Sequence, residues 1–314
     1  PAGDDVRPIG TTKHLTSVRV GEAREGRLRA LDWLRGLAAL WVCLYHVDLT
    51  VQKDKYFGLD PISPLSAVGY RGVELFFILS GFVMVYAHTR TSDRGIGAAG
   101  DFVLRRVLRI YPAYLAIAVP LFVIAAITGV GASASMSPDI GLLIRDVLLI
   151  PRDDRSTFIP VVAWTLSHEM MFYLLFLTWF FNRAGAFAVI GIWGFGSVAL
   201  ALTDNQPTGW LMQTSAMNAY FIAGMLCTIA TRFTIVRRGW LVPVGSLVAL
   251  AAAIGLEDAV GGTESYKALL LALYASAFTG LVCWFARGTV HIPRRLAVMA
   301  DRLGRVSYSL YLVN

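Results

Sequence analysis

The chain has 314 residues, of which 56% are hydrophobic and 16% charged, and its mean hydropathy is +0.60. That balance excludes an ordinary soluble domain, in which charge interrupts the apolar residues far more often. The formal charge of +7 is accounted for by arginines expected on one side of a membrane, so no nucleic-acid partner is needed to explain it.

Residues 1–29 form a polar arm carrying Arg7, Lys13, Arg19, Arg24, Arg27 and Arg29, without the apolar stretch of a secretory signal. They read as a disordered or loosely docked cytoplasmic arm. Residues 30–314 are expected to be a single transmembrane domain. A helix needs roughly 20 residues to cross about 30 Å of hydrocarbon, and uncharged runs of that order occupy 110–136, 184–203, 209–231, 239–256 and 268–286. Three further spans carry ionisable residues: 31–51 holds Asp32, Arg35, His46 and Asp48, 72–88 holds Glu74, and 156–181 holds His168 and Glu169. Another begins near Leu303 and stops at Asn314, while the first residue is Pro1 rather than methionine. The expected fold class is therefore all-α and polytopic, a bundle of about nine to ten transmembrane helices with the last absent or truncated.

Arginine-rich connections at 88–109, 232–238 and 287–305 alternate with poorer ones at 203–208 and 257–267. Because short cytoplasmic loops accumulate basic residues, the N-terminus is expected to be cytoplasmic. Cys43, Cys227 and Cys283 fall inside predicted spans without metal-ligand spacing. They are expected to pack as small apolar side chains, with no disulfide framework and no metal.

Each ionisable group within a membrane costs a few kcal/mol unless it is paired or faces a wet cavity, which makes it a functional candidate. His46 follows Arg35 by eleven residues, about 16 Å along a helix. With the first span running outward and the second and fourth inward, His46, Glu74 and Glu169 are expected to converge in the outer half. Arg35, Arg105, Arg106 and Arg109 are expected at the cytoplasmic end. His168 is rotated roughly 100° from Glu169 and is expected to pack or hydrogen-bond elsewhere. Glu74 has two readings, an ion pair with Arg71 at a helix end or a contact to substrate. Clustered arginines suit a phosphate-bearing ligand, and a buried histidine beside carboxylates suits proton transfer. Acyl-coenzyme A has that shape, with phosphates at one end and a thioester at the tip of a long arm.

Five local sequences then occur in the order of one family. LRALDWLRGLAALWVCLYHV contains Arg35 and His46 with ten residues between them; GYRGVELFFILSGFVMV contains Glu74; FVLRRVLRIYPAY contains Arg106 and Arg109 as an RxxR pair; WTLSHEMMFYLLF contains Glu169; and SYSLYLVN closes the chain. Together they resemble the acyltransferase 3 family of membrane-bound O-acyltransferases over roughly 27–314, with Asn314 where histidine is common and Met170 where many members have a second acidic residue. The resemblance implies a stand-alone bacterial inner-membrane enzyme that moves an acyl group, acetyl or another short acid, from cytoplasmic acyl-CoA to a hydroxyl of a cell-surface or lipid-linked carbohydrate such as an exopolysaccharide. It implies His46, Glu169 and Glu74 as catalytic, and Arg35, Arg105, Arg106, Arg109 and Tyr111 as the grip on the donor. Arg71 and Ser167 would meet the acceptor. The rival reading is a proton-coupled transporter of a small anion or acylated product. Direct transfer and an acyl-enzyme are both compatible with the sequence.

Overall fold

The fold is that of a computed structural model, which describes residues 11–59, 61–89, 93–128, 140–150, 158–202, 215, 217–232, 240–260, 266–287 and 294–313. All regular structure among them is helical. The order is α1 (Thr11–Val51), α2 (Pro64–Ala67), α3 (Gly72–His88), α4 (Gly95–Thr128), α5 (Ile140–Val147), α6 (Ala163–Phe176), α7 (Arg183–Ala201), α8 (Asn218–Arg232), α9 (Leu241–Val260), α10 (Lys267–Phe285) and α11 (Arg294–Val313). Six of the described helices are long and apolar enough to cross a membrane: Arg29–Val51, Gly69–His88, Gly95–Thr128, Arg183–Leu200, Leu241–Val260 and Lys267–Phe285. The protein is therefore a multi-pass membrane protein. The expected count of nine to ten spans is not confirmed among the described residues: α6 has 14 residues and α8 has 15, while α11 starts at Arg294 and takes in arginines expected on a loop. Asn314 lies outside the described residues.

Two helices are longer than expected. α1 runs for 41 residues, so the helix already begins at Thr11, within the polar arm. α4 runs for 34 residues through Pro112 and Pro120, roughly 51 Å at 1.5 Å per residue and well beyond a hydrocarbon core. Arg105, Arg106 and Arg109 consequently sit within this helix and not on the loop before it. At spacings of three and four residues, Arg109 shares a helix face with both Arg106 and Arg105.

Large hydrophobic side chains such as Leu37, Leu108, Ile127, Phe195 and Val248 face outward, as expected where lipid surrounds the bundle. The interior is aromatic. Phe221 stacks on Phe172 at 4.3 Å and meets Phe77 at 4.6 Å, joining α8, α6 and α3. The close crossing of α3 and α8 depends on glycine, because a Cβ on Gly81 would overlap the Phe221 carbonyl oxygen and one on Gly224 would overlap that of Ile78. Small residues allow such backbone approach in membrane bundles, and Thr228 Oγ1 adds a 3.0 Å bond to the Phe82 carbonyl. Gly81→Ala is expected to lower stability by about 1–3 kcal/mol through overpacking. Gly97→Ala, where a Cβ has open space, should be silent, and thermal denaturation in detergent compares the two.

α11 docks along α1. Trp33 Nε1 donates to Asp301 at 2.7 Å, and Gly36 and Gly304 lie so close that either Cβ would press on the other helix. The expectation for the cysteines changes in one respect: Cys227 on α8 and Cys283 on α10 are joined as a disulfide with Cα atoms 6.0 Å apart, whereas Cys43 is free.

Candidate active site

Glu169 lies mid-helix on α6, half-buried. Its Oε1 accepts hydrogen bonds from the Tyr173 hydroxyl and, at 3.3 Å, from Ser80 Oγ. It opens on a narrow cavity of about 70 Å³ that also exposes Arg35 and Arg109, with Thr165, Tyr308 and Tyr311 on the wall. Thr165 Oγ1 and the Tyr311 hydroxyl share a 2.8 Å bond, and the Tyr308 hydroxyl donates to the Ile110 carbonyl at 3.1 Å. Helix α11 therefore closes this cavity and fastens it to α4 and α6.

Two wider cavities share its lining. One of about 740 Å³ exposes Arg94, Arg105, Arg106 and Arg109 together with His88. The other, about 610 Å³, exposes Arg29, Arg35, Arg109 and Arg305. Arg109 lines all three cavities, and Arg35 two of them. Arg35 is also paired with Asp32 at 3.0 Å. The Arg106 guanidinium stands 5.0 Å from the Tyr173 ring and 5.3 Å from that of Phe102, so a contiguous path runs from Arg106 through Tyr173 to Glu169. Clustered guanidinium donors of this kind suit phosphate oxygens.

Glu169 thus shares a cavity with the arginines instead of lying beside His46. Its depth in the bundle is legible from its position along the span, but the face it presents depends on which helices pack around α6. His46 is half-buried on α1 and its Nδ1 lies 2.8 Å from the Val42 carbonyl. A carbonyl only accepts, so Nδ1 carries the proton and the lone pair of a neutral ring falls on Nε2. Among the described residues no carboxylate orients the ring; the backbone of the preceding turn does, with Tyr45 edge-on at 5.3 Å.

Glu74 belongs to a third group at the opposite end of the bundle from the arginines. Its Oε1 accepts from Arg71 at 2.5 Å, and Arg71 also pairs with Glu257 at 2.7 Å. The ion pair with Arg71 is therefore formed, although Glu74 still lines a cavity of about 310 Å³. Glu257 accepts from the hydroxyls of Tyr70 and Tyr274, the latter at 2.6 Å. Sequence reasoning assigns Glu257 no role because it sits where a loop is expected; α9 continues to Val260 and carries it into the bundle.

Two expected contacts are absent from these cavities. Ser167 Oγ donates to the Trp164 carbonyl at 2.7 Å, and Tyr111 packs 6.3 Å from Tyr114; neither residue lines any of the four. His168 is turned away from Glu169 as expected, with Nδ1 3.3 Å from Asn218 Oδ1. Asn218 Nδ2 continues to Ser197 Oγ at 3.0 Å. Among the described residues there is no cluster of histidine, cysteine and acidic groups that could hold a metal.

Comparison with known proteins accords with the motif resemblance. The chain is 29% identical to acyltransferase MdmB of Streptomyces mycarofaciens over 320 residues, covering 92% of this chain and 78% of that one. It is 28% identical to exopolysaccharide production protein ExoZ of Rhizobium meliloti (strain 1021) over 264 residues, 78% of this chain and 75% of the relative. Protein 2 in picA locus of Rhizobium radiobacter is 29% identical over 168 residues, 49% of this chain and 82% of that protein. No solved structure matches the chain. The family model described as an acyltransferase domain matches residues 28–314, and the chain belongs to that acyltransferase 3 family and is an acyltransferase.

Proposed function

We propose that the protein transfers a short acyl group, acetyl foremost, from acyl-CoA to a hydroxyl of a cell-surface or lipid-linked carbohydrate. It does so from the bacterial inner membrane, with its arginine-rich end and N-terminus in the cytoplasm. The observation that carries the donor half is the shared lining of three cavities by Arg109, which links two wide basic mouths to a narrow inner space. The phosphates would meet Arg105, Arg106 and Arg109 at the mouth. The long thiol arm would pass Arg35 and Glu169 and run along α1. The name of the relative ExoZ, an exopolysaccharide production protein, supports a carbohydrate acceptor.

In this reading His46 is the general base. The Val42 carbonyl fixes its tautomer, so Nε2 takes the acceptor's hydroxyl proton as that oxygen attacks the thioester carbonyl; the C–S bond then breaks and the coenzyme leaves as its thiol. Eleven residues separate Arg35 from His46, about 16 Å of helix, which calls for a donor with a long flexible arm. Glu169 lines the throat with Arg35 and Arg109, a different task from orienting His46.

Arg106→Ala and Arg109→Ala are each expected to raise the KM for acetyl-CoA about tenfold, a charge-assisted contact of about 1.5–3 kcal/mol having been lost. Their kcat should change far less. Steady-state kinetics on purified protein separate the two effects, and an unchanged donor KM in both variants would remove the arginines from the donor site.

A further inference from the structure

The His46 ring is held by the Val42 carbonyl and flanked by Tyr45, so the base is only as well placed as this stretch of α1. The connection between α1 and α3 binds that stretch on both sides of the histidine. Trp41 Nε1 donates to the Leu65 carbonyl at 2.7 Å, and Oδ1 of the buried Asp48 accepts from the Ile62 amide at 2.9 Å. The 3₁₀ turn Gly69–Arg71 and the following Gly72 then lie directly against α1. A Cβ on Gly69 would overlap the Trp41 carbonyl oxygen and press on Tyr45, while one on Gly72 would press on the Ala38 carbonyl oxygen and the Val42 side chain. The contact therefore falls on Val42 and on the turns to either side of it.

The same turn is fastened to α9 and α10. The Tyr70 hydroxyl donates to Glu257, Arg71 pairs with Glu257 at 2.7 Å, and the Tyr274 hydroxyl donates to Glu257 at 2.6 Å. The Tyr70 ring meets that of Tyr45 at 5.3 Å. Tyr70 thus joins two bodies, its ring resting on the α1 segment that carries the base and its hydroxyl on a carboxylate of α9. It lines none of the arginine cavities.

We propose that Tyr70 is a positioning residue for His46: bonded to Glu257 and docked on Tyr45, it keeps the imidazole against the Val42 carbonyl with Nε2 presented to the reaction. The proposal rests on the role of base given to His46 above. A reacting group misplaced by about 1 Å can lose about 10²-fold in rate, so a residue outside the donor site can act through kcat.

Two substitutions separate the contacts of Tyr70. Tyr70→Phe keeps the ring against Tyr45 and removes the bond to Glu257, whereas Tyr70→Leu removes both. The first is expected to lower kcat about tenfold and the second about 10²-fold, with the acetyl-CoA KM unchanged in each. In a His46→Ala background neither should lower the residual rate further, because both act through the missing ring. Nuclear magnetic resonance of the histidine ring nitrogens supplies a reading without turnover, the signals lost in His46→Ala being those of the base. They should show the ring protonated on Nδ1 in the wild type and a mixture of tautomers once Tyr70 no longer confines Tyr45. An unchanged kcat in both variants, the same fractional loss with and without His46, or wild-type His46 signals in both variants overturns the proposal. His46 signals that change with Tyr70 in a protein that consumes no acetyl-CoA would uphold the positioning and defeat the role of base instead.

Discussion

His46→Ala is expected to lower the rate of acyl transfer by about 10²–10⁴-fold, the usual contribution of a positioned general base. The acetyl-CoA KM should stay within a few fold, because His46 lines none of the arginine cavities. His46→Gln is expected to fare little better: an amide hydrogen-bonds but takes no proton at neutral pH. The pattern of lost kcat with retained donor affinity is what distinguishes a base from a binding residue. It also tells His46 from Glu169, whose replacement by glutamine should act mainly on donor affinity through Arg35 and Arg109. Equal donor-KM effects in the two variants would place both residues in one site and contradict the separation seen here.

Arg71→Ala is the substitution expected to cost most in stability. The side chains of Glu74 and Glu257 are only 2% and 8% exposed, and removing Arg71 strands two carboxylates. Breaking a buried pair from one side costs about 3–5 kcal/mol because a charge is left uncompensated, which for a chain of this size lowers Tm by roughly 10 °C. Combining Arg71→Met with Glu74→Gln and Glu257→Gln should restore much of the loss, since no buried charge then remains. If Arg71→Ala melts with the wild type, the cluster is wetter than its burial indicates.

The class of protein is plain in the sequence because uncharged runs of membrane-crossing length seldom occur in soluble domains. Face and partner are less plain. The helical offset of His168 from Glu169 follows from 100° per residue alone, and the structure bears it out with a separate bond to Asn218. Which neighbour Glu169 meets depends on how α3, α4 and α11 pack about α6, which periodicity does not encode. Glu257 shows a similar limit, since an acid near glycines looks like loop until the helix before it proves longer. Arg105, Arg106 and Arg109 illustrate the reverse: counting basic residues by side treats them as connection, whereas α4 carries them on one helical face. Tyr308 and Tyr311 stand within a recognised motif, yet only the docking of α11 reveals that they wall the Glu169 cavity.

The most direct measurement is transfer of labelled acetyl from acetyl-CoA by the purified protein in lipid nanodiscs, with a neutral hexoside as acceptor and His46→Ala alongside. We expect labelled ester on the sugar, stoichiometric release of coenzyme A thiol and loss of both in the variant. Acetyl-CoA left intact by the wild type, or ester formed at the same rate by His46→Ala, would contradict the account.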